Sequence, residues 1–338
     1  MMSRTRFLAV LLLLVLMAPL LTIAAPETSY QLERAQLRQE LQYAEDAAAL
    51  EAPLTAGQHS ADAPYELRSR HFIFGMPRLV DDRHRTDTGA PGISVVVREG
   101  FVAAHFEEMQ VPLWVCQRWT RSDMERMSAA DSLDRDWFDD PDLPAGLHAG
   151  TSYQGSKTGL DRGHLAKHAM NRAWGVDSSI YGCLMSNCAP QHLSINRSGA
   201  FRQLEDAVEG FIGLPEQVEM LWIISGTVYD DPSTPLGPAS ENDFARVARI
   251  TSGFGVPHAT YKIVGWFTPG GSFDARAYLF EQPHYLNEAG KLIFDIPDEQ
   301  TTFCVPVRTI EARTGVDFFP RLKAEVADVV ETNALGAF

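Results

Sequence analysis

The chain has 338 residues, 45% of them hydrophobic, which is enough for one large globular domain or two ordinary ones and excludes a disordered or fibrous protein. Its formal charge of −15 excludes recognition of a polyanion through net positive charge, so any such partner must be met by a local field. One candidate lies between residues 157 and 202, where Lys157, Arg162, Lys167, Arg172, Arg197 and Arg202 stand against only Asp161 and Asp177.

In chain order, Arg4 and Arg6, an apolar run over 7–21 and the exit Thr22-Ile23-Ala24 predict a signal peptide over 1–24 and a secreted or periplasmic protein. The run is about 15 residues, short of the ~20 that a spanning helix needs. Leu32, Leu37 and Leu41 among polar residues predict an exposed amphipathic helix within a 25–66 extension and linker. The main domain is expected over 67–325, with a tail over 326–338. Within it, strands are predicted over 93–98 and 111–119, a loop over 136–155, and a strand over 180–185. Phe201, Leu204, Val208 and Phe211 predict a helix capped at Ser198 and stopped by Gly213 and Pro215. Strands over 220–229, 260–268 and 273–280 and a short helix over 307–313 follow. Strands and helices do not alternate, so the fold class is α+β with a largely antiparallel central sheet flanked by helices.

Cys116, Cys183, Cys188 and Cys304 allow up to two disulfides in an oxidising compartment. If 180–188 were one strand, Cys183 and Cys188 would sit roughly 16 Å apart on opposite faces. Each would then pair with Cys116 or Cys304 or stay reduced.

The densest polar cluster is Asp161-Arg162-Gly163-His164, followed by Ser186-Asn187, Pro190-Gln191, Asn196 and Leu204-Glu205. Phosphodiester hydrolysis needs a base for water, cations where oxygens gain charge, and a metal at the leaving oxygen. His164 has the side chain whose ordinary pKa suits the first task. Arg162 can fork onto phosphate oxygens, and Asn196 and Glu205 supply hard oxygens suited to Mg²⁺.

These blocks resemble the DNA/RNA non-specific endonucleases, a family with a ββα-metal finger and a D-R-G-H motif. The motif is complete at Asp161 to His164 and continues in Leu165-Ala166. Ser186-Asn187-Cys188-Ala189-Pro190-Gln191, then Asn196 and Leu204-Glu205, resemble the second block, and Arg135-Asp136-Trp137 with Asp140-Pro141 resembles the segment carrying another arginine. Similarity spans roughly 72–322. The resemblance implies a ββα-metal (His-Me finger) fold and cleavage of DNA and RNA to 5′-phosphate and 3′-hydroxyl ends with Mg²⁺, Mn²⁺ substituting. It makes His164 the base, Asn196 the metal ligand, Arg135 and Arg162 the phosphate cations, and Glu205 the holder of metal-bound water. Asp161, Asn187 and Gln191 would support the site, with Lys167 and Arg197 from the basic island as further substrate contacts. DNA and RNA are the expected partners, without stable membrane association; a homodimer is allowed and an inhibitor partner is undetermined.

One departure is the nine-residue step from Asn196 to Glu205, where the family has eight. On one continuous helix eight residues turn about 80° and nine about 180°, so the extra residue must be absorbed before the helix, at Gly199. Blander readings stand beside these: Arg162 or Arg135 in structural ion pairs, Asn196 as a helix cap, Glu205 as an exposed helical charge. A zinc pair of His164 and His168 on a helix is opposed by Leu165, where metalloproteases need glutamate. A catalytically silent binding or inhibitory module of the same fold, and a phosphodiesterase for small nucleotides, are the rival functions.

Overall fold

Strands rich in Val, Ile, Trp and Tyr hydrogen-bond side by side through the centre of the domain, as their pleated, buried faces favour. A computed structural model describes residues 70–80, 84, 92–131, 136–144, 159–197, 199–213, 218–230, 247–250, 253–296 and 303–333. The expected signal peptide, the 25–66 extension, Arg135, Lys157 and Ser198 lie outside the described residues. The elements are β1 (Arg78–Leu79), β2 (Ile93–Val97), β3 (Val102–Phe106), β4 (Val111–Thr120), α1 (Arg121–Ala129), β5 (Leu160–His164), α2 (His168–Asn171), α3 (Val176–Tyr181), β6 (Cys188–His192), α4 (Leu193–Asn196), α5 (Ala200–Gly213), β7 (Met220–Val228), β8 (Ala259–Phe267), β9 (Phe273–Glu281), β10 (His284–Leu286), β11 (Leu292–Phe294), β12 (Phe303–Val305), α6 (Val307–Thr314), β13 (Val316–Asp317) and α7 (Ala324–Val330).

The main sheet has seven strands in the order β12-β9-β8-β7-β4-β3-β2, every pair antiparallel. On one face Trp119, Leu221, Ile223, Val264 and Trp266 pack against Phe201, Leu204, Val208 and Ile212 of α5. Each such side chain contributes roughly 1.5–3 kcal/mol on burial, so this contact fixes α5 to the sheet. The other cluster gathers Val307 and Ile310 of α6 with Phe318, Phe319 and Val330. Val330 carries α7 onto the body, where Arg308 also meets Glu331 at 3.3 Å. No helix among the described residues is long and apolar enough to cross a membrane.

The strand expected over 180–185 is absent. Gly175, at φ 106, starts α3, and the Gly182 N–H closes it onto Ser178 O at 3.0 Å. Ile180 and Tyr181 lie on its exposed side, and a one-turn 3₁₀ helix at Met185–Asn187 follows. A short apolar run carries no period that separates strand from helix, and here the flanking glycines decide. With that strand goes the opposite-face argument for Cys183 and Cys188; none of the four cysteines is in a disulfide. Sequence reading also passed over α1, although Thr120 and Asp123 form a complete capping box at its start.

Candidate active site

The D-R-G-H segment is β5, paired antiparallel with β6 so that Asp161 faces Gln191, Arg162 faces Pro190, Gly163 faces Ala189 and His164 faces Cys188. Both sequence blocks are therefore two strands of one small ribbon, and α4 and α5 follow it directly. Gly163 is required there by packing: a β-carbon would lie 1.9 Å from Gln191 Oε1 and 2.8 Å from its Cγ. Gln191 is buried and donates through Nε2 to Thr260 Oγ1 at 3.2 Å, which ties the ribbon to β8.

Asn187, also buried, ties the end of the motif to the rest of the ribbon. Its Oδ1 accepts from Ala166 N at 2.7 Å, and its Nδ2 donates to Ala166 O and Gly182 O, both at 2.9 Å. Both polar atoms of the amide are thus engaged by backbone.

His164 ends β5 with the Trp137 ring tilted by 33° against it at 4.4 Å between ring centroids, His168 at 5.3 Å, and Cys183 Sγ 3.8 Å from its Nε2. The Arg162 guanidinium lies 5.5 Å from the same Trp137 ring, so one indole orders both the proposed base and the proposed cation. Trp137 is held by its chain neighbours: Phe138 N donates to Cys183 O, Met185 N to Phe138 O, and buried Asp140 accepts from Arg98 at 2.5 Å and from Ser186. In the sequence neither Trp137 nor Asp140 has an assigned role of its own; the available signal is the D-P pair downstream of a tryptophan. His164 and His168 lie on a strand and on a separate helix, so the helical zinc pair is not formed.

Asp161 organises the opposite end. It accepts from Arg197 Nε and Nη2, each at 2.9 Å, and from Asn196 Nδ2 at 3.1 Å. Burial pushes its carboxyl up, but the Arg197 and Asn196 hydrogen bonds and the Arg197 and His192 charges outweigh that and hold it below the usual aspartate range. The donated amide nitrogen turns the Asn196 oxygen away from Asp161. Arg197 is thus engaged by Asp161 rather than presented alone to substrate.

Lys167 departs from its expected role. It is buried, and its ammonium meets Glu209 at 2.5 Å and Asp206 at 3.4 Å on α5. Arg202 pairs with Asp206 at 3.2 Å as well. Of the basic island, Lys167 and Arg202 are therefore balanced by acids of α5 and Arg197 by Asp161 of β5.

Glu205 is not an exposed helical charge: it is buried under α5, its Oε1 3.7 Å from the buried Lys262 Nζ of β8. Burial raises the Glu205 carboxyl, opposed by Lys262, Lys167 and Arg202. Burial likewise lowers the Lys262 ammonium to about 8. Asn196 and Glu205 sit on two helices with a break at 197–199, so the nine-residue step is not a rotation about one axis. Gly199 lies against α4, where a β-carbon would come 1.8 Å from Ser194 O.

A two-stranded ribbon ending in histidine, followed by an asparagine-bearing helix and docked on an antiparallel sheet, defines a nuclease finger of the ββα type. Residues 80–325 match the DNA/RNA non-specific endonuclease family, and the chain belongs to it. It is similar to mitochondrial endonuclease G of Homo sapiens, 26% identical over 247 residues covering 71% of this chain and 75% of that protein. The Bos taurus protein is 25% identical over 246 residues, covering 71% and 74%. A solved structure described as the EndoG/EndoGI complex and the mechanism of EndoG inhibition has the same fold, with TM-score 0.53 at 18% identity over 68% of this chain and 86% of that one.

Proposed function

We propose that this chain hydrolyses DNA and RNA phosphodiester bonds without sequence preference, leaving 5′-phosphate and 3′-hydroxyl ends, as an exported enzyme. The observation that carries the reading is the placement of His164 and Asn196 at the two ends of one ribbon system, each held by its own partners: Trp137 for the base, Asp161 for the amide. His164 takes the proton of the attacking water. Arg162, ordered on Trp137, binds phosphate oxygens as charge grows on them. Arg135, outside the described residues, is assigned the same task from the family motif.

The donor set fits a hard divalent cation. Among the described residues there is no group of three or more His, Cys, Asp or Glu able to hold a metal, as a zinc cage would need. Asn196 offers one neutral oxygen with its nitrogen already committed to Asp161, which suits Mg²⁺ retaining most of its waters. Bound there, Mg²⁺ or Mn²⁺ would supply Lewis-acid stabilisation of the leaving oxygen. Glu205 is assigned to its water shell, consistent with a carboxylate buried next to Lys262 rather than solvated.

The test is digestion of supercoiled plasmid and of structured RNA by purified protein, with Mg²⁺ and with excess chelator, followed by end analysis. Cleavage of both with Mg²⁺, none with chelator, and products that ligate without phosphorylation are expected. A folded protein that cuts neither substrate with Mg²⁺ or Mn²⁺ overturns the proposal in favour of a silent module.

A further inference from the structure

Three arginines converge on one indole ten residues beyond the catalytic motif. Trp174, in the one-turn 3₁₀ helix Arg172–Trp174 after α2, has the guanidinium carbons of Arg70, Arg126 and Arg118 at 4.9, 5.4 and 5.9 Å from its ring centroid. Two of the three have acidic partners. Arg70 meets Glu99 at 3.2 Å, and Arg126 meets Asp123, besides donating to Ala173 O at 3.1 Å and Ser122 Oγ at 2.8 Å. Asp123, fully buried, is also engaged by the Thr120 cap.

Arg118 differs. Its guanidinium is half-buried and makes no hydrogen bond or ion pair among the described residues, and its Nε is sealed from solvent without a partner. Burial and the charges of Arg70 and Arg126 hold it below the usual arginine range, with Asp123 opposing them. A half-buried cation with two like charges alongside, opposed only by an Asp123 already engaged by Arg126 and Thr120, is costly in a chain of net charge −15, where acids are plentiful. An arriving anion removes that cost, and the guanidinium fork matches phosphate oxygens. Arg70 and Arg126 keep part of their side chains in solvent, so the cluster is accessible. It shares no residue with the His164–Asn196 site.

We infer that Arg70, Arg118 and Arg126 around Trp174 form a second phosphate-binding site that grips the backbone of a nucleic-acid strand away from the cleavage centre. This rests on the nuclease reading and extends it: long substrates would be held at two places, short ones at one.

The test uses full-length His164→Ala protein in chelator, so that binding is read without cleavage. Affinity for a labelled single strand of about thirty nucleotides is measured by anisotropy between about 50 and 200 mM salt, where each phosphate contact adds to the salt slope. With Arg70→Gln and Arg118→Gln combined, the slope of log affinity against log salt should fall by about two. Arg249→Gln, far from the cluster in sequence, should leave it unchanged. Titration of the parent with inorganic phosphate should perturb tryptophan fluorescence, and Trp174→Phe should remove that change.

If Arg118→Gln proves unfolded by its melting curve, Arg70→Gln alone should lower the slope by about one. An unchanged slope in folded variants overturns the site, even where the parent binds DNA tightly. A phosphate response without any change in oligonucleotide slope overturns the nucleic-acid assignment. Absence of both cleavage by the wild type and binding by the parent would instead overturn the nuclease reading itself.

Discussion

The carboxamide of Gln191 occupies the space that a β-carbon on Gly163 would need, so the third letter of the D-R-G-H motif is set by a residue of the neighbouring strand. Gly163→Ala should cost about 1–3 kcal/mol as Gln191 is forced off its rotamer and away from Thr260. Urea unfolding will show it. Adding Gln191→Ala removes the clash, so the double variant should be more stable than the sum of the single effects predicts. Strict additivity would mean that the contact is relieved elsewhere.

His164→Ala should fold normally and lose about 10²–10⁴ of turnover, because a general base supplies that much and His168 belongs to a different element. A folded variant with more than about a tenth of wild-type turnover removes His164 from that role.

Asp161→Asn replaces the acceptor that orients Asn196. As a partner of a metal-binding group, Asp161 should act on metal affinity, and the Mg²⁺ concentration for half-maximal activity should rise about 10–100-fold with turnover at saturating Mg²⁺ largely kept. The substitution has a second signature. The folded carboxyl sits below its unfolded value of about 3.9, so its stabilisation is present above that value and is lost as pH falls through the folded one. Wild-type and variant melting curves should therefore differ at neutral pH and converge in strong acid.

Glu205→Gln should lower turnover sharply with a modest change in KM, the pattern of an interaction made mainly in the transition state. It also leaves the Lys262 ammonium without its carboxylate. The folded Lys262 value, about 8, lies below the unfolded ~10.4, so wild-type stability should rise as pH climbs from the first value towards the second. Lys262→Met should abolish that rise in melting temperature. A Glu205→Gln enzyme with unaltered turnover would limit Glu205 to its pairing with Lys262.

The strands over 111–120, 220–228 and 259–267 and the helix over 200–213 were legible because their apolar periods are long and mutually consistent. The D-R-G-H segment is legible by its chemistry alone and not as a strand, since Gly163 and Arg162 carry no strand pattern. What escaped was set by distant residues. Lys167 reads as a free base until Glu209 and Asp206, about forty positions on, fold against it. Trp137 gives no hint that its ring will lie against His164, and Cys183 none that its sulfur will meet the same imidazole. α3 was misread because its sequence is too short to show a period.

The break between α4 and α5 sets where this scaffold can change length. A residue gained or lost at 197–199 lengthens or shortens a turn and leaves α5 seated by Phe201, Leu204 and Val208 on the sheet. The same change after Ala200 would swing the inward face by about 100° and carry Glu205 away from Lys262. Insertions and deletions among relatives should therefore collect between the two helices rather than within α5.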